Sequence, residues 1–189
     1  EMCIRDRLIA SHSDVQEKLH EEIDRVFGSS NRQLKSDDLG ELKYLECVIK
    51  ESLRLYPSVP IFSRYVTEDQ EIGGYFIPKG VTATVFPYTI HRDERYYPDH
   101  EKFDPDRFLP ENSADRPAFA YIPFSAGKRN CIGQRFALME EKVILANILR
   151  KFDLEAVNET IEIVQLAELI LRPKNGILLR LKARSLHEE

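Results

Sequence analysis

A single cysteine loop constrains this chain more than any other feature. In its last third the sequence runs Phe124-Ser-Ala-Gly127-Lys-Arg129-Asn-Cys131-Ile-Gly133. Taken alone, Cys131 reads as a small hydrophobe in an ordinary buried turn. Its neighbours argue for more. Gly127 can take a positive φ and turn the chain sharply. Gly133 has no Cβ, so the backbone there can lie close against a flat group. Arg129 offers a planar fork of donors to a carboxylate, and Phe124 can shield the sulfur from water. Together these suit a thiolate bound to haem iron, with Arg129 on a propionate. Such a thiolate pushes electron density onto the metal and favours O–O cleavage. With average amino-acid usage, five fixed residue types in this spacing coincide on the order of once in several million start positions.

Phe-x-x-Gly-x-Arg-x-Cys-x-Gly is similar to the haem-binding signature of the cytochrome P450 family, and all its fixed positions are present. The fuller run resembles the fourth P450 family, mostly fatty-acid ω-hydroxylases. Position 128 departs from that family, with lysine in place of the usual proline. The resemblance implies an α+β, mainly helical fold with small β-sheets and an irregular cysteine-loop meander. It also implies haem b as cofactor and Cys131 as the iron ligand. Electrons would come from NADPH through a reductase.

The 189 residues amount to roughly one domain by length. P450 chains are more than twice as long, so the resemblance makes this a C-terminal portion, followed from Leu8 to about Arg184. The expected division is 1–7, a segment unlike the family; 8–184, the P450 portion; and 185–189, a tail. A membrane anchor and the helix over the distal haem face would lie upstream. That anchor would hold the full-length protein on the cytosolic face of the endoplasmic reticulum membrane. No apolar run here approaches the ~18 residues that span a bilayer, and no signal peptide is evident. The net charge of −5 argues against nucleic acid as a partner. Cys3, Cys47 and Cys131 have neither disulfide nor metal-finger spacing, which suits a reducing, cytosol-facing environment.

Local patterns predict the elements. Ser13-Asp-Val-Gln16 spells a capping box for a helix whose stripe is Val15, Leu19, Ile23 and Val26, ended by Gly28. Residues 29–38 read as polar linker. Leu42 to Tyr56 reads as a second helix, with Leu42, Leu45, Val48, Ile49, Ser52 and Leu55 inward and Lys43, Glu46 and Lys50 outward. Glu71-Ile-Gly-Gly-Tyr75 reads as a hairpin, and Val81 to Phe86 as a strand. His91-Arg-Asp reads as a helix start, with His91 a cap rather than a ligand. Pro105, Pro110, Pro117 and Pro123 make the stretch up to the cysteine loop an irregular meander. Gly133 to Phe152 reads as a long buried helix, and Ile161 to Leu181 as strands joined at Pro173-Lys-Asn-Gly176.

Glu51 and Arg54 share a helix face at i, i+3. By themselves they spell a surface ion pair worth ~0.3–0.5 kcal/mol. In the P450 family this pair and a Pro-x-Arg-Phe motif, here Pro105-Asp-Arg107-Phe108, form a buried Glu51–Arg54–Arg107 cluster that holds the meander. Arg64 alone reads as a surface arginine; the resemblance makes it a second propionate anchor. Val59, Ile61 and Phe62, with Ala167 and Leu169, read as ordinary core or, by resemblance, as lining for a hydrophobic substrate. Cys47 reads as inert packing.

The reading that follows is a haem-thiolate monooxygenase acting on a fatty-acid-like substrate with O2. Lys128, Arg129 and Arg135 would offer a basic face to an acidic redox partner. A P450-fold isomerase or dehydratase of lipid peroxides is an alternative in another class, against which the regular cysteine-loop spacing argues. A truncated, inactive chain is a third.

Overall fold

The computed structural model describes residues 2–28, 30, 32–157, 164–166 and 168–184. Helices α1 (Met2–Ala10), α2 (Ser13–Phe27), α4 (Lys43–Leu55) and α7 (Gln134–Leu149) pack around one core; α3 (Asp38–Glu41) is a single turn beside α7. The predicted stripes decide the packing. Val15, Leu19, Ile23 and Phe27 of α2 meet Leu45, Val48, Ile49 and Leu53 of α4 and Leu145 and Leu149 of α7. Each such side chain is worth about 1.5–3 kcal/mol relative to exposure. Gly28 ends α2 with φ +55, its N–H bonded to the Asp24 carbonyl at 2.7 Å.

The capping box does not form. Ser13 lies inside α2, and the residue ahead of it, His12, makes no side-chain cap. Gln16 turns instead to β5 (Phe152–Ala156): the Leu154 N–H donates to its Oε1 at 2.6 Å, and its Nε2 donates to the Leu154 carbonyl at 3.2 Å. A long-range backbone pair there outcompetes the local cap.

Helix α4 also lacks a capping side chain of its own, since Leu42 precedes it. Glu22, buried on α2, supplies one from a distance. Its two carboxylate oxygens accept the N–H groups of Tyr44 and Leu45 at 2.7 and 2.9 Å. These are orphan donors of the first turn, where negative charge is also favoured by the helix dipole.

The sheets are small and antiparallel. β1 (Phe62–Tyr65) pairs with β4 (Thr82–Val85), Arg64 opposite Ala83. β2 (Gln70–Ile72) and β3 (Tyr75–Ile77) form the predicted hairpin. Its Gly73 and Gly74 both have positive φ, +59 and +83, as a tight primed turn demands. In the tail, β6 (Gln165–Leu166) pairs with β7 (Arg172–Pro173), but β8 (Leu179–Ala183) crosses to β5. The strands flanking Pro173–Gly176 thus belong to different sheets.

Two more expectations change. The run after Phe86 makes only a short α5 (Pro87–Ile90), which His91 ends rather than begins. The apolar sequence of α7 is not all buried: Glu141, Lys142, Leu145, Ala146 and Leu149 face the core, while Phe136 (67% exposed) and Met139 face outward. The buried charges are paired. Lys142 Nζ donates to Glu46 at 2.8 Å and to the Leu39 carbonyl at 2.9 Å, and Arg5 meets Glu141 at 2.9 Å. Ile4 and Arg5, from the segment read as unlike the family, are buried in this structure, Ile4 within the main core.

Candidate functional site

The meander between α5 and α7 is built on one arginine. Arg54 and Glu51 are both fully buried, 0% exposed. Arg54 Nε and Nη2 donate to the Glu51 carboxylate at 2.7 and 2.8 Å. Nη1 donates to the carbonyls of His91 and His100 at 2.9 and 2.7 Å, and Nη2 to that of Lys102 at 3.1 Å. All five guanidinium donors are thereby used. Glu51 Oε1 also accepts the Asp104 N–H at 2.9 Å. Burial pushes the Glu51 carboxyl above its usual range, and Arg54 opposes that shift. Arg107 is a looser third member. Its Nε stands 3.7 Å from Glu51, and its Nη2 donates to the Asp99 carbonyl at 3.0 Å.

Ring packing continues the frame. The Arg54 guanidinium lies over Tyr97 at 5.0 Å, and Tyr97 donates its hydroxyl to the Ala120 carbonyl at 3.0 Å. His91, buried, accepts the Ile122 N–H on Nε2 at 2.9 Å. Burial lowers its pKa to about 3, so the ring is neutral. Sequence reasoning saw a cap in His91 and missed this acceptor; a histidine beside a short turn gives no signal of which distant amide it receives.

Tyr97 and His91 thus fix the backbone just ahead of the cysteine loop. Phe124 packs half-buried on the core, and its carbonyl accepts the Cys131 N–H at 2.9 Å. Between them the chain turns through Ser125 at φ +62 and Gly127 at φ +78, then a tight turn over Gly127–Arg129. Cys131 ends exposed at the N-terminal approach to α7. Gly127 is needed for its backbone angle, since a Cβ there would meet nothing within 4 Å. Gly133 has ordinary negative φ, and a Cβ on it would sit 3.9 Å from the Cys131 Sγ, on the sulfur's own side. Cys47, in contrast, is buried on α4, and burial pushes its thiol up to about 11.

Arg64 and Phe62 share one face of β1, partly buried. Arg64 reaches the cysteine loop: Nη2 donates to Ser125 Oγ at 2.7 Å and to the Arg129 carbonyl at 3.2 Å. Arg129 itself is exposed beside Lys128, and Arg135 is exposed on α7. The two stretches expected to line a substrate pocket are drawn together by the Leu171 N–H, which donates to the Ser58 carbonyl at 3.0 Å. Ile61 and Phe62 are half-buried there, and Val59 and Leu169 (80%) are exposed. Ala167 lies outside the described residues. A cavity of about 400 Å³ between the ends of α2 and α7, lined by Phe27, Arg32, Asn147 and Arg150, contains none of these residues.

Among the described residues no cluster of three or more His, Cys, Asp or Glu could hold a bare metal ion. Haem asks for less, because the porphyrin nitrogens supply most of the ligands. An exposed thiol on a loop that Arg64 braces, with the exposed Arg129 two residues before it and no Cβ at Gly133, fits that group.

The chain belongs to the cytochrome P450 family, whose pattern it matches over residues 7–180. It is 54% identical over 182 residues to Cytochrome P450 4V2 of Mus musculus, covering 96% of this chain and 34% of that protein. Over 178 residues it is 48% identical to Cytochrome P450 4c3 of Drosophila melanogaster, covering 94% of this chain and 33% of that protein. The chain thus spans about a third of the length of these curated relatives.

Proposed function

We propose that this chain is the proximal, haem-binding part of a haem-thiolate monooxygenase that inserts one oxygen atom from O2 into a C–H bond of a hydrophobic, fatty-acid-like substrate. The observation that carries the reading is the exposed Cys131, pinned through its N–H to the Phe124 carbonyl on a loop that Arg64 braces at Ser125 and at the Arg129 carbonyl. Bound haem would supply O2 activation. The chain's own residues do the rest. Cys131 ligates iron, Arg129 and Arg64 anchor propionates, and Gly133 leaves room beside the sulfur. Glu51, Arg54 and Arg107 hold the meander and take no part in the chemistry.

Val59, Ile61, Phe62 and Leu169 supply apolar surface suited to an acyl chain, and Ala167 is assigned to the same lining. Exposed Lys128, Arg129 and Arg135 give a basic face that steers an acidic NADPH-dependent reductase. Among the described residues no helix is long and apolar enough to cross a membrane. Attachment to the endoplasmic reticulum membrane is assigned to an anchor elsewhere in the full-length protein.

The test is the absorption of the reduced carbon monoxide complex of the full-length protein. Thiolate donation red-shifts that band. Cys131→Ala abolishes it together with turnover, and Cys47→Ala leaves both unchanged. A band that survives in the Cys131→Ala protein refutes the assignment.

A further inference from the structure

Ser125 is a non-glycine residue held at φ +62, inside the loop that carries Cys131. For an L-residue this region costs about 1–2 kcal/mol, and glycine would relieve it. The serine side chain nevertheless makes the shortest contact between β1 and the loop, the 2.7 Å bond from Arg64 Nη2. The same nitrogen reaches the Arg129 carbonyl at 3.2 Å. One guanidinium therefore spans the loop from its second residue to the residue two before the cysteine.

The donors of Arg64 show what this bracing leaves free. Nη1 donates to the Ser63 carbonyl at 3.0 Å, and Nη2 makes the two loop bonds. A guanidinium has five N–H groups, so Nε and the second hydrogen of Nη1 still have room for an anion. The group also packs over the Phe62 ring, its Cζ 4.9 Å from the ring centre. An unrestrained arginine carries about 2 kcal/mol of rotamer entropy, which a ligand would have to overcome on binding. Here most of that freedom is already gone.

We propose that Ser125 is a positioning residue: its hydroxyl holds the Arg64 guanidinium pre-oriented for a haem propionate and ties β1 to the cysteine loop. The inference deepens the haem reading of this site and rests on it. Ser125 acts through Arg64 and touches neither iron nor substrate.

The experiment titrates full-length apoprotein with haemin and, separately, with haemin dimethyl ester, which lacks both carboxylates. Wild type binds haemin more tightly than the ester. Ser125→Ala and Ser125→Gly each lose roughly tenfold in haemin affinity, the scale of one hydrogen bond to a charged group, and nothing in ester affinity. Ser125→Asn restores haemin binding, since asparagine tolerates the left-handed region and offers a carbonyl to Arg64. Equal losses for haemin and ester would mean that Ser125 only shapes the loop, and would overturn the proposal. So would affinities unchanged in both variants. A wild type that binds both compounds alike would remove the anchoring role of Arg64 and Arg129, and this proposal with it. The thiolate absorption would still report Cys131 ligation in that case.

Discussion

Replacing Glu51 by alanine tests the frame behind the cysteine loop. The substitution removes the partner of two of the five Arg54 donors and of the Asp104 N–H. Arg54 cannot turn to water for compensation, because it is fully buried and its other three donors are committed to His91, His100 and Lys102. An uncompensated buried charge of this kind costs about 3–5 kcal/mol, a large part of the roughly 5–15 kcal/mol that holds a domain folded. The loss falls on the meander, which carries the backbone into Cys131. In the full-length protein Glu51→Ala therefore yields little haem per polypeptide and a chemical denaturation midpoint well below wild type. Arg107→Ala is the internal comparison. Arg107 stands 3.7 Å from Glu51 and is partly exposed, so its removal costs no more than about 1–2 kcal/mol. Haem-to-protein ratio and denaturation midpoint are read on both. A Glu51→Ala protein with full haem content, normal stability and slow turnover would refute the structural role. Equal effects of the two substitutions would refute the ranking within the cluster.

His91 makes the fold sensitive to acid. Its folded pKa of about 3 lies below the ordinary 6.5, so the unfolded chain takes a proton that the folded chain refuses. Its contribution is complete above about pH 6.5 and shrinks by up to about 1.4 kcal/mol per pH unit as pH falls towards 3. The stability difference between wild type and His91→Gln accordingly narrows between pH 6.5 and 4.5; a constant difference would show that the ring is not held neutral. Glu22→Ala lowers stability by about 1–3 kcal/mol by uncapping α4 and speeds amide exchange at Tyr44 and Leu45. Exchange there at the wild-type rate would mean that the carboxylate does not cap the helix.

The sequence told most where the physics is local. Apolar spacing marked α2 and α4 because a buried face must recur every turn, and the Gly73-Gly74 pair marked its hairpin because few residues accept positive φ. The Glu51–Arg54 pair became legible as a buried cluster only through the family resemblance that joins it to Pro105-Asp-Arg107-Phe108, since a carboxylate and a guanidinium at i, i+3 spell the same thing on a surface and in a core. Partners far along the chain were hidden. Gln16 looked like a cap until Leu154 claimed it, 138 positions away. Glu22 gave no sign of capping a helix; the only hint was that Leu42 could not. In α7 composition misled, because apolar residues lie on both faces and composition does not say which one meets the core.

Arg54 holds the meander through the main-chain oxygens of His91, His100 and Lys102, not through their side chains. The constraint is on path and register rather than on chemistry. Exposed positions within that span, such as Glu94 and Arg95, are open to exchange with almost any residue. Removing one residue between 92 and 99 instead carries the carbonyls of His100 and Lys102 out of reach of a guanidinium that has no slack. At the exposed positions of this segment the structure constrains length more tightly than identity.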